Sequence, residues 1–112
     1  MGLSFPGPAK GQPGWLDPEV YPPAAFVDVD GVLFREGTDE WLPGALDYLR
    51  SLNADKVRVI LFTARAPGTW LNRFAEAGVV LFGVIQKPLA AGYFVVDDRL
   101  MIGRCASGIR GY

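Results

Sequence analysis

Apolar positions along the chain fall into runs of two kinds. Near-continuous ones cover residues 24–29, 57–62, 79–85 and 92–96. Runs of this length, rich in β-branched and aromatic residues and bounded by turn residues, read as strands covered on both faces. Between them the period lengthens. In "PGALDYLRSLN" (43–53), Ala45, Leu46, Leu49 and Leu52 recur at helical spacing, with Pro43 near the first turn. In "PGTWLNRFAEAG" (67–78), Trp70, Leu71, Phe74 and Ala75 share one face, and Gly78 stands where the helix should stop. The order is strand, helix, strand, helix, strand, and then a fourth strand. It predicts an α/β fold with a parallel sheet. Right-handed crossovers then favour a doubly wound, Rossmann-like three-layer sandwich, with a mainly parallel sheet of about four to five strands.

The first 23 residues break this rhythm. They hold six of the nine prolines and four of the fourteen glycines. Such a segment forms neither a helix nor a central strand. It is expected to be an irregular arm that packs at least partly through Trp15 and Leu16. Residues 24–112 are then one minimal domain. Residues 31–43 read as a loop, and 99–112 show no clear periodicity.

Composition narrows the chemistry. In 112 residues, 11 Lys and Arg face 12 Asp and Glu, and half the residues are hydrophobic. This is a globular composition without the basic excess of a polyanion binder, so a nucleic-acid partner is disfavoured, though not excluded. No apolar run approaches the roughly 20 residues that span a bilayer, and the start does not read as a secretory signal. Cys105 is the lone cysteine. A reduced, cytoplasmic setting is the expectation. There is no histidine, so Ser-His and Cys-His pairs are excluded within this chain. Chemistry must run on carboxylates, lysine, hydroxyls and a hard metal ion.

Each expected strand carries its unusual polar residues at the same end. Asp28 and Asp30 end the first; Thr63, Ala64 and Arg65 follow the second; Lys87 follows the third; Asp97 and Asp98 end the fourth. In a parallel sheet these ends share one rim. Residues two apart on a strand point the same way, so Asp28 and Asp30 project together, about 6.5 Å apart. Four carboxylates in one place repel. Lys87 offsets one charge and Mg²⁺, which takes oxygen ligands, offsets two more. Carboxylates, Mg²⁺, lysine and a hydroxyl together suit phosphate, with a carboxylate available as nucleophile.

These residues also resemble a known family. "DVDGVL" is similar to the Asp-x-Asp-Gly-Thr/Val-Leu motif of the haloacid dehalogenase-like superfamily; Thr63, Lys87 in "KP" and Asp97-Asp98 in "FVVDDRL" follow in the family's order. The resemblance covers about residues 24–100 and implies a Mg²⁺-dependent phosphatase. It makes Asp28 the nucleophile that becomes an aspartyl-phosphate, and Asp30 the general acid and then base. Thr63, Ala64 and Lys87 hold the phosphoryl group. Asp28, the Asp30 carbonyl and Asp97 bind Mg²⁺, assisted by Asp98. Two departures stand out. Only nine residues separate Lys87 from Asp97, and no cap domain is inserted. A capless site admits a large phosphate ester, or borrows a lid from a second copy.

Other readings compete. Thr63 could simply cap the next helix, and Lys87 could be a solvated loop lysine. Arg65 and Arg99 read as surface or supporting residues, and Trp41 and Trp70 as packing. A phosphoryl-accepting switch, like a response-regulator receiver, uses the same residue types, but there the acidic pair comes first and Thr and Lys last. A non-catalytic scaffold whose proline-rich arm binds a partner is the third reading.

Overall fold

The computed structural model describes residues 7–100. It is a small α/β structure built on a three-stranded, all-parallel sheet. Strand β1 is Ala24–Val27, helix α1 Ala45–Ala54, strand β2 Arg58–Thr63, helix α2 Asn72–Glu76 and strand β3 Gly83–Gln86. The order across the sheet is β1-β2-β3. Val27 lies opposite Leu61, and Leu61 opposite Val84. Each parallel crossover carries a helix, as a connection of this kind requires.

Local chemistry sets the boundaries. Pro22 and Pro23 hold β1 to a start at Ala24. Its end is a tight turn in which the Val29 carbonyl accepts from the amides of Val32, Leu33 and Phe34. Gly31, at φ 79°, supplies the left-handed residue this turn needs. Helix α2 is shorter than its periodicity suggests. Pro67 and Gly68 delay it, a 3-10 turn at Thr69–Leu71 leads in, and Gly78 at φ 75° closes it.

One sheet face is the core. Val27, Val59, Leu61 and Thr63 are buried there, and Ala45, Leu49 and Phe74 belong to the same buried set. An aromatic cluster closes it toward the rim: Phe34 lies 4.7 Å from Trp41 and 5.5 Å from Phe74, centroid to centroid, with Trp70 6.2 Å from Phe74. Trp41 and Trp70 thus pack, as the sequence suggests. The opposite face carries Phe26, Ile60, Phe62 and Ile85, placed there by strand alternation and register. Phe26 is 61% exposed, and no helix lies over this side among the described residues.

Three expectations change. Residues 92–96 are not a strand: Phe94 is 96% and Val96 94% exposed. Nine residues after Lys87 are too few for a crossover that would return this run to the sheet. The described sheet therefore has three strands in place of four or five. Its helices cover one face, giving two layers in place of three, and the strand order does not reverse. The arm fares better. Residues 7–23 contain turns but no helix or strand, and Trp15 is half-buried while Leu16 is exposed. Together with Pro8, Tyr21 and Arg99, they line a cavity of about 390 Å³.

Candidate functional site

The carboxyl ends of the three strands gather most of the expected residues. Asp28 leaves β1, Thr63 ends β2 and Lys87 follows β3. The Lys87 amide donates to the Thr63 carbonyl at 2.8 Å, so β3 delivers its lysine in register with the end of β2. Lys87 Nζ reaches Asp28 Oδ2 at 2.8 Å. Asp28 Oδ1 accepts from the Val29 amide at 2.8 Å, which orients the carboxylate. Burial opposes the Lys87 charge, but the bond to Asp28, its negative charge and the Tyr93 hydroxyl outweigh it and raise the lysine above its ordinary 10.5. The rings of Phe62 and Tyr93 lie 5.7 and 5.8 Å from Nζ. Lys87 is therefore a committed site residue and not a solvated loop lysine.

Asp30 has a different partner. Arg65 Nη2 donates to its Oδ1 at 2.7 Å and Nε to its Oδ2 at 3.0 Å; the Gly37 amide adds a third bond to Oδ1 at 3.0 Å. The hydrogen bond from Arg65 is the main reason that Asp30 sits below its ordinary 3.8. Arg65 also donates to Asp39 and to the Thr38 carbonyl. This hub was not identified from the sequence, where Arg65 read as a supporting residue. The signal was present: paired acids with one lysine need a second cation, and Arg65 is the cation nearest a strand end.

Thr63 is 1% exposed, and its hydroxyl oxygen accepts from the Arg65 amide at 3.0 Å. It thus shapes the turn that leads to Arg65. Ala64, Arg65, Asp28, Asp30, Lys87 and Trp70 line an open cavity of about 690 Å³; Thr63 lies behind its wall.

Asp97 and Asp98 stand apart from this cavity. The Asp97 carboxylate accepts from the Arg99 amide at 2.8 Å, and the Arg99 guanidinium donates to the Gly14 carbonyl of the arm. Among the described residues, no group of three or more His, Cys, Asp or Glu side chains lies together as a metal cage would need. The expected four-carboxylate cluster is therefore reduced to Asp28 and Asp30.

Acid should reveal the Asp30–Arg65 pair. A carboxyl held below 3.8 in the fold stabilises it fully above that pH and loses this stabilisation as pH falls further. The Asp30 side chain is 30% exposed and that of Arg65 15%, so a contribution of about 1 kcal/mol is reasonable for a pair between surface and core. In metal-free protein, urea unfolding at pH 7 and pH 3 should show Asp30→Asn losing about 1 kcal/mol less than wild type. Equal losses would remove Asp30 from the acid response.

Comparison with protein-family models, curated proteins and solved structures gives no match. No helix among the described residues is long and apolar enough to cross a membrane. What the protein does must therefore come from the chemistry of this rim.

Proposed function

We propose that the protein is a Mg²⁺-dependent phosphomonoester hydrolase that works through an aspartyl-phosphate on Asp28. The observation that carries this reading is the 2.8 Å contact of Lys87 with Asp28 at the carboxyl rim of a parallel sheet, with Asp30 beside it. The motif order of the haloacid dehalogenase-like superfamily supports it, and so does the place where open α/β sheets bind ligands. On this reading the complete domain is the capless, doubly wound sandwich of that family, and the setting is cytoplasmic.

Each residue then has a task. Asp28 attacks phosphorus. Lys87 steadies its carboxylate and draws the negative oxygens of the phosphoryl group. Ala64 offers backbone in the cavity wall, presented by the turn that Thr63 holds. The Thr63 oxygen already accepts a bond, so its hydroxyl hydrogen is what remains for a phosphoryl oxygen. Asp30 exchanges protons with the leaving group and with water.

Mg²⁺ is compatible with these donors. It commonly uses one or two carboxylates and fills its shell with waters and substrate phosphate. Asp28 and the Asp30 carbonyl would hold it, and the family pattern adds Asp97 and Asp98. When bound, it neutralises charge on the phosphoryl oxygens. Titration of Mg²⁺ into metal-free protein should give saturable binding, weakened about tenfold or more by Asp97→Ala. Unchanged affinity would limit the site to Asp28 and the Asp30 carbonyl.

The cavity has no lid among the described residues, which suits a bulky ester or a lid lent by a second copy. The test of the function is hydrolysis of an activated aryl phosphate with Mg²⁺, abolished by a chelator. A single burst of phosphate transfer without turnover would favour the phosphoryl-accepting switch instead. The engagement of both Asp30 oxygens by Arg65 gives that second reading its footing.

A further inference from the structure

Arg65 is held on every side. Its Nε and Nη2 grip both oxygens of Asp30, Nη1 bonds Asp39 at 3.0 Å, and Nη2 also donates to the Thr38 carbonyl. Its guanidinium carbon lies 5.3 Å from the Phe34 ring centre and 5.5 Å from that of Trp70. Four donations and two rings leave this side chain little freedom. Asp30 inherits the constraint. A carboxylate has about four lone-pair positions. Three of those on Asp30 are taken, two by Arg65 and one by the Gly37 amide.

An acid that protonates a leaving group must carry its own hydrogen and aim it at the departing oxygen. Asp30 cannot do so while Arg65 fills both of its oxygens. The one open position accepts a hydrogen bond and can take a proton from water, but it has none to give.

Resting on the assignment of Asp28 as nucleophile, we infer that Arg65 withholds Asp30 from leaving-group protonation, confining the site to phosphate donors whose leaving groups depart unprotonated. Acyl phosphates and aryl phosphates are of that class; alkyl phosphates are not. In the first step the Asp28 carboxylate oxygen forms a bond to phosphorus. The bond from phosphorus to the leaving oxygen breaks, and that oxygen keeps the electron pair and leaves as a carboxylate or aryl oxide. In the second step water attacks phosphorus and gives a proton to Asp30. The bond from phosphorus to Asp28 breaks, its electron pair returns to the carboxylate, and inorganic phosphate departs. Arg65 is a positioning residue in this scheme, since it touches Asp30 and not the reacting atoms.

The experiment measures the rate of phosphoenzyme formation, with Mg²⁺ and the full chain, from acetyl phosphate, 4-nitrophenyl phosphate, phenyl phosphate and glycerol phosphate. Wild type should show a steep dependence on leaving-group basicity, with glycerol phosphate slower than 4-nitrophenyl phosphate by more than the roughly 10²- to 10⁴-fold that a positioned acid normally recovers. Arg65→Gln should flatten the dependence by speeding the alkyl ester relative to the aryl one. Arg65→Lys, which keeps charge but loses the fork, should fall between. Comparable wild-type rates for alkyl and aryl donors would overturn the inference while leaving Asp28 as nucleophile. So would an unchanged slope in a folded Arg65→Gln protein. If that variant fails to fold, the wild-type slope still decides. Phosphorylation by none of the four donors would remove the Asp28 reading and this inference with it.

Discussion

Asp28→Asn is expected to yield no phosphoenzyme and no turnover with any donor. The nucleophile must itself form the bond to phosphorus, and an amide does not replace a carboxylate there. Charge cannot make this distinction, because Asp30 leaves the same rim two residues later. Their partners do: Asp28 faces Lys87, and Asp30 faces Arg65. Asp30→Asn should therefore still accept phosphate from an activated donor. Its aspartyl-phosphate should persist about 10²- to 10⁴-fold longer, because the attacking water has lost its base. Rapid quenching of both variants with 4-nitrophenyl phosphate and Mg²⁺ separates them. Phosphate on Asp28→Asn but not on Asp30→Asn would reverse the two roles.

The second large effect lies beneath the rim. Phe34→Ala should cost about 3–5 kcal/mol, the usual range for emptying a buried aromatic position. Phe34 is fully buried and contacts Trp41 and Phe74, so three elements meet on it. Against a typical total of about 5–15 kcal/mol, this loss is a large share of the stability. Urea titration of wild type and variant would measure it, and a loss under about 1 kcal/mol would mean the cluster collapses freely into the space. Phe34 also forms one of the two ring surfaces beside Arg65. A milder Phe34→Leu should thus loosen the hold on Asp30 while sparing most of the core.

Legibility from the sequence followed how local each signal was. Helix α1 and strand β2 could be read because their periods are complete within themselves. Asp28 and Lys87 could be placed together because parallel strands bring their carboxyl ends to one rim. The run at residues 92–96 misled because apolar content alone does not make a strand. A strand also needs a neighbour, and that depends on the length of the connection. The continuous apolar run in β2 suggested cover on both faces, yet its residues alternate between buried and half-buried. Arg65 was undervalued because its partners are 26 to 35 residues away, and no local pattern announces such contacts.

Strand β1 lies at the margin of the sheet, paired only with β2 among the described residues. Its sequence, AAFV, is uncharged and apolar, the kind of margin on which foreign chains template and aggregate. Its neighbours in sequence act as gatekeepers. Pro22 and Pro23 offer no amide hydrogen to a visiting strand, and Asp28 and Asp30 place negative charge just past the other end. A visitor is thereby limited to four residues, about 13 Å of ladder at roughly 3.3 Å each, too short to sustain itself. The acids at the rim thus protect solubility as well as serving chemistry, and replacing both with apolar residues should turn this margin into a nucleus for fibrous assembly.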